Sequence, residues 1–222
     1  MLIDHWPLVG LRLTTPRLEL RLPSEQELAE LAEVAAAGIH DAGRMPFLTP
    51  WTDAPPAEVA RAVVQYHWLR RGTWSPREWM LNLAVFDDGR PVGVQSLQAT
   101  EFAVTREVHT GSWLGARYQG RGIGREMRAA VLHLAFAGLG AEEATSAAFS
   151  DNAASLAVSA RLGYRPDGVT RDAVRGRPVV SHRLRLTRAD WELTERPRIE
   201  MAGLAACLTQ FGAAGGQAPP TG

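Results

Sequence analysis

The chain holds 222 residues, 45% of them hydrophobic, enough for one substantial core and too few for a large multidomain machine. Its 24 basic residues balance 24 acidic ones at a pI near 7.0, so no general field draws it to nucleic acid or an anionic membrane. Every basic residue is arginine, which excludes a Schiff-base enzyme, a lysine-tethered cofactor and the lysine of a Walker-type phosphate loop.

A single cysteine, Cys207, excludes an internal disulfide framework and a thiolate zinc site, and points to the cytoplasm. The opening MLIDHWPLVG carries Asp4 ahead of any basic residue and has no long apolar core, so no secretory signal is expected. The stretch from Ala129 to Ala141, interrupted by His133, falls short of the about 18 apolar residues a membrane span needs.

Arg17 to Leu22 alternates charged and leucine residues with period two and predicts a half-buried strand. Ser24 and Glu27 have the spacing of a capping box; Leu28, Leu31 and Val34 follow at helical intervals and predict a helix to about Gly38. Ile39 to Thr52, with Pro46, Pro50, Phe47 and Trp51, reads as an ordered loop with apolar anchors. A second helix is predicted over Pro56 to Arg71 with Val59, Val63 and Trp68 inward.

A hairpin follows, Leu81 to Phe86 and Pro91 to Leu97 around the turn Asp87-Asp88-Gly89-Arg90. Next come a strand from Glu107 to Tyr118, an amphipathic helix from Gly122 to about Ala137, a strand from Ala144 to Phe149, a helix from Asn152 to Leu162 and a strand from Val179 to Leu186. Hairpins mixed with one strand-helix-strand unit fit an α+β fold better than a doubly wound sheet. The segment after Thr187, carrying Trp191, Ile199, Met201, Leu204 and Leu208, is apolar enough to dock on the domain or on a second subunit of a homodimer. The final GAAGGQAPPTG lacks side chains with which to pack and is expected to be disordered. The expected division is therefore 1–188 as the domain, 189–211 as a docking extension and 212–222 as a tail.

The most informative stretch is Gln119-Gly120-Arg121-Gly122-Ile123-Gly124-Arg125, between a strand and a helix start. Free N–H groups at a helix start favour negative charge, and alternating glycines let a phosphate approach the main chain, so the turn reads as an anion cradle flanked by Arg121 and Arg125. A dinucleotide site is a competing reading, with Glu142 or Glu143 as its ribose acid, although Arg125 occupies the third glycine position. A nucleoside-triphosphate loop lacks its lysine, and a ligand-free turn is the bland alternative.

Gln119 to Gly124 resembles the Q/R-x-x-G-x-G/A turn of the GNAT acyltransferase superfamily. Asn152-Ala-Ala-Ser155 with Arg161-Leu162-Gly163-Tyr164 resembles that family's N-x-x-S/A…LGF/Y helix, and Thr15-Pro16-Arg17-Leu18 resembles the T-x-R-L opening of its RimJ/RimL-type branch. The segment from His40 to Phe47, with Pro50 and Trp51, looks like an actinobacterial subgroup in which dicarboxylic acyl donors occur. The resemblance implies a GNAT fold: a mixed, mostly antiparallel sheet, splayed at the acyl-CoA site and flanked by helices. It implies transfer of an acyl group, acetyl or a longer group such as succinyl, from coenzyme A to a primary amine on a small molecule or protein, through a tetrahedral intermediate.

Coenzyme A would be held by Gln119, Gly120, Arg121, Gly122, Ile123, Gly124 and Arg125 at the diphosphate, and by Trp113, Leu114, Gly115, Asn152 and Ser155 along the pantetheine arm. A backbone N–H near Leu114 or Gly115 is the expected oxyanion donor. The position at which many family members carry a thiolate-protonating tyrosine is Ser159, so Ser155 is the expected acid. The base position falls at His109, with Glu107 on the same strand face to orient or replace it. His40, Arg44, Met45, Phe47 and Trp51 are the candidate acyl or acceptor pocket, with Arg44 or His40 able to pair with a donor carboxylate. No metal cluster is recognisable in the His and Cys spacing. A non-catalytic acyl-CoA-binding regulator is the second reading, and an NAD(P)-binding oxidoreductase the third.

Overall fold

The computed structural model describes residues 1–213. Two short elements open the chain, helix α1 (Leu2–His5) and strand β1 (Arg12–Thr14), before β2 (Leu18–Arg21). Helix α2 (Glu25–Ala36) starts as its capping box dictates: Ser24 Oγ accepts from the Glu27 amide at 3.3 Å and the Glu27 carboxylate accepts from the Ser24 amide at 2.9 Å. Its Leu28 and Leu31 are fully buried, each contributing about 2 kcal/mol.

Helix α3 (Pro56–Gly72) buries Val59, Val63 and His67, not Trp68. These three positions repeat every four residues, and the next residue is rotated by about 100°, so Trp68 is exposed and its Nε1–H reaches the Glu25 carboxylate at 2.9 Å. The predicted hairpin is β3 (Glu78–Asp87) and β4 (Arg90–Thr100), followed by the short α4 (Phe102–Thr105) and β5 (Glu107–Leu114). Strand β5 stops four residues before Tyr118, because Tyr118 N–H turns back to the Gly115 carbonyl.

Helix α5 (Ile123–His133) runs on through one wide turn, Leu134–Leu139, to Gly140 at φ +77°. Then come β6 (Glu143–Phe149), α6 (Ala153–Arg161), β7 (Arg165–Val174), β8 (Arg177–Thr187), α7 (Arg188–Glu192) and β9 (Glu200–Ala202).

The strands form one sheet in the order β7-β8-β6-β5-β4-β3-β2-β1-β9. All neighbours are antiparallel except β5 and β6. This is the mixed α+β sheet flanked by helices that the sequence called for. One apolar layer lies between the sheet and α5, around Leu81, Leu83, Met127, Val131 and Leu134; the other lies beneath α2 and α3, around Leu28, Val59, Phe86 and Val94.

Residues 189–211 pack on this same core. Strand β9 pairs with β1 through Leu13 and Met201, Trp191 stacks on Phe136 at 5.7 Å, and the Trp74 and Trp79 indoles donate to the Gln210 and Phe211 carbonyls at 2.8 and 3.1 Å. Residues 214–222, which hold most of the expected disordered tail, lie outside the described residues. No helix among the described residues is long and apolar enough to cross a membrane.

Candidate active site

The two parallel strands stay together for only three pairs, Glu107 with Glu143, Val108 with Ala144 and His109 with Thr145. Beyond that point β5 follows β4 and β6 follows β8, and a gap opens between them. Thr110 pins the apex. Its hydroxyl donates to the Thr145 carbonyl at 3.2 Å and is met at 3.1 Å by the hydroxyl of buried Tyr164, while Ser146 Oγ donates to the Thr110 carbonyl at 3.4 Å.

The hydrogen-bond alternation of β5 decides which backbone groups face the gap. Gly115 N–H donates to the Val92 carbonyl at 3.0 Å, which turns Gly115 and Trp113 toward β4 and leaves Ser112 and Leu114 facing the opening. Gly115 is therefore no oxyanion donor; its amide is already bonded within the sheet. It has a packing duty instead, since a Cβ there would come within 2.6 Å of Val34 on α2. The Leu114 carbonyl accepts from Gln119 Nε2 at 2.9 Å, and the same amide group donates to Ile39 at 2.6 Å, so the Gln119 side chain staples the strand end to the following loop.

At the open end of the gap stands the glycine turn. Gly120 and Gly122 hold φ +73° and +80°, where L side chains are strained, and Gly122 caps α5. The amides of residues 120–124 donate to no acceptor among the described residues, so five successive N–H groups stand free at the positive end of a helix. The opening Thr15-Pro16-Arg17-Leu18 braces this turn. Arg17 Nη1 donates to the Arg121 carbonyl at 3.0 Å, Arg17 Nη2 pairs with Glu126 at 2.8 Å, and Thr15 Oγ1 donates to the other Glu126 oxygen at 2.5 Å. Arg121 is exposed beside the cradle, and Arg125 donates to the Glu195 carbonyl at 3.3 Å.

Across the gap, Asn152 caps α6, its Oδ1 accepting from the Ser155 amide at 3.2 Å. Ser155 is half-buried and its hydroxyl has no partner among the described residues.

His109 and Glu107 share a face of β5, as strand alternation requires. His109 Nδ1 lies 3.1 Å from Thr145 Oγ1 at the apex. Burial, and after it the charge of Arg128, holds its pKa below the ordinary histidine value, against an opposing pull from Glu107. Glu107 itself is held by Arg185 at 2.7 Å; the same guanidinium pairs with Glu143 and with Asp167 at 3.1 Å. Both residues also line a cavity of about 680 Å³ walled by Leu69, Arg70, Trp74, Met80 and Gln98.

In the Ile39–Thr52 loop, His40, Phe47 and Trp51 form a chain of rings toward Trp113, the first pair edge to face and the next two tilted, with centroids 5.8, 5.4 and 6.1 Å apart. Met45 packs on Phe149 and Val174. His40 is tied to Thr52 Oγ1 at 2.7 Å. Arg44 is exposed, not inside the pocket, and bonds to the Asp151 carbonyl ahead of α6. Arg175, in the β7–β8 turn, pairs with Asp53 at the end of the loop. Sequence reasoning overlooked Arg128, whose signal was a charge inside the apolar run Met127 to Leu132, and Glu126, which only the fold brings to Thr15 and Arg17.

The profile of the acetyltransferase (GNAT) domain family matches residues 17–165. The chain belongs to this family. It is an N-acyltransferase with an acyl-CoA donor, and the splayed strands and free amides fit such a donor. Solved GNAT structures of similar fold include a GCN5-related N-acetyltransferase from Brucella melitensis (20% identity, 82% of this chain and 80% of that one, TM-score 0.64). The RimL ribosomal L7/L12 α-N-protein acetyltransferase in complex with coenzyme A matches at 21% identity over 78% of this chain and 95% of that one, TM-score 0.61. Mycobacterium smegmatis RimJ in complex with CoA-disulfide matches at 17% identity over 91% and 95%, TM-score 0.63.

Proposed function

We propose that this GNAT enzyme transfers acetyl from acetyl-CoA to a primary amine by direct attack in a ternary complex. The observation that carries this reading is the row of five unbonded amides, residues 120–124, opening onto the gap between β5 and β6. The bound donor supplies the electrophilic carbonyl and a thiol leaving group.

The chain's own residues do the rest. The cradle and Arg121 hold the diphosphate, and the facing edge of Ser112 and Leu114 takes the pantetheine arm as an added strand, with Ser112 N–H, the nearer of the two to His109, as an oxyanion donor. The Asn152 amide orients the arm and the free Ser155 hydroxyl donates toward sulfur. Neutral His109 accepts the amine proton, directly or through water. Glu107, bound to Arg185, orients this end of the cavity and is not the base.

The cavity beside His109 receives the acceptor, and the likeness to ribosomal-protein acetyltransferases makes a peptide α-amine the first acceptor to test. A longer donor such as succinyl-CoA would extend toward His40, Met45, Phe47 and Trp51, but Arg44 is turned away from that wall. A homodimer through the exposed Tyr66, Trp68 and Leu69 of α3, in a reducing cytoplasm that suits the buried Cys207 thiol, belongs to the same reading.

Titration calorimetry with coenzyme A, acetyl-CoA, succinyl-CoA and NAD, followed by a thiol-release assay over a panel of amines, tests it. Binding of acetyl-CoA with turnover on an amine is expected. Binding without release on any amine would indicate a regulator, and NAD binding without coenzyme A affinity an oxidoreductase.

A further inference from the structure

Arg128 is 4% exposed, on the inner face of α5, and pairs with no carboxylate among the described residues. Its Nη1 donates to Ser159 Oγ at 2.8 Å and its Nη2 to Ser112 Oγ at 3.4 Å, while its Nε, fully buried, has no acceptor. The carboxylates of the elements around it are committed elsewhere, Glu126 of α5 to Arg17 and Glu107 of β5 to Arg185; the other ionisable groups are His109 of β5 and, ahead of β7, the phenol of Tyr164, whose pKa burial raises. Ser159 from α6 is neutral and spends its own proton on the Ser155 carbonyl at 3.0 Å. A guanidinium stays charged under these conditions, and burying one without a counter-ion is costly. The position therefore stands ready for a negative charge that comes and goes.

The place is specific. Arg128 bonds to Ser112, whose main chain faces the gap, and it stands six residues, roughly 9 Å along the helix axis, inward from the amide cradle at Gly122. A carrier gripped at its diphosphate and lying along the gap would run its arm past Ser112 and this guanidinium.

Resting on the acyl-CoA reading above, we propose that Arg128 is a catalytic residue that holds the coenzyme A sulfur as its thiolate. As the new C–N bond forms and the C–S bond breaks, the bonding pair stays on sulfur. The amine proton leaves to His109, and the guanidinium neutralises the sulfur without giving up a proton of its own. Ser155 then donates a hydrogen bond to a thiolate already stabilised.

The test titrates the thiol of coenzyme A bound to the full chain by thiolate ultraviolet absorbance, with desulfo-coenzyme A as the blank. In the wild type the bound thiol should ionise at least one pH unit below free coenzyme A. R128M and R128Q should return it to the free value, and R128K should retain most of the shift. Turnover of acetyl-CoA by R128M should fall about 100-fold with little change in coenzyme A affinity. R128M should melt no lower than wild type, because an uncompensated charge has left the interior; R128Q serves if the methionine variant does not fold. An unshifted thiol in the wild type, or one shifted equally in R128M and R128Q, overturns the role of Arg128 alone. Failure of coenzyme A to bind the wild type overturns the donor reading, and this proposal with it.

Discussion

Arg17 and Arg121 stand 104 residues apart in the chain, yet the guanidinium of the first donates to the carbonyl of the second at 3.0 Å. That bond, with the Arg17–Glu126 pair, fixes the backbone of the turn from behind while its amides face the opening. Arg17→Ala is expected to weaken coenzyme A binding about tenfold by calorimetry, the effect of losing about 1.4 kcal/mol of preorganisation, with kcat at saturation nearly unchanged. A large fall in kcat without a change in affinity would place Arg17 elsewhere in the chemistry.

His109 should set the acid limb of the pH profile. A base works only when unprotonated, and burial with the Arg128 charge keeps this imidazole neutral to lower pH than usual, so kcat/KM should fall only below the ordinary value of about 6.5. His109→Gln should remove that limb and cost about 100-fold in kcat, measured from pH 5 to 9.

Glu107 offers the complementary measurement. Held by Arg185, it should tolerate replacement by Gln with kcat within about threefold of wild type, since surface-accessible ion pairs contribute about 1 kcal/mol or less. A 100-fold loss would return it to the role of base.

His67 predicts an acid sensitivity unrelated to turnover. Burial, reinforced by the charge of Arg71, lowers its pKa to about 4. The unfolded chain therefore binds a proton near pH 6.5 that the native state refuses, so this stability is complete above that pH and drains away as pH falls to about 4, by about 3 kcal/mol. In urea titrations, His67→Leu should flatten the dependence over this range.

Features encoded locally were legible in the sequence. Ser24 and Glu27 announced α2 because both halves of the box lie within one turn, and the glycine turn ahead of α5 was legible because positive φ and free amides are properties of a short segment. Strand β7 escaped because its half-buried positions, Asp167, Thr170 and Asp172, are polar, so the alternation of burial has no apolar counterpart in the sequence; β9 escaped because three residues carry no pattern at all. The division of labour along β5, Gly115 bonded to β4 and Leu114 facing the gap, depends on hydrogen-bond phase, which residue types do not encode. Arg44 was expected inside the pocket and is exposed, because its partner, the Asp151 carbonyl, comes from a distant part of the chain, as does the Arg185 that holds Glu107.

The Asp53–Arg175 clasp roofs one side of the molecule, joining the loop after α2 to the far hairpin. The proposed function gives the two reactants separate doors. In the proposed reaction the donor would enter past the glycine cradle and the acceptor past Arg70 and Trp74, at the other end of a strand segment running from Leu114 to His109, roughly 16 Å long. Neither blocks the other's exit, so an acylated product can leave while the spent carrier is still seated, and initial-rate plots for the two substrates should intersect rather than run parallel.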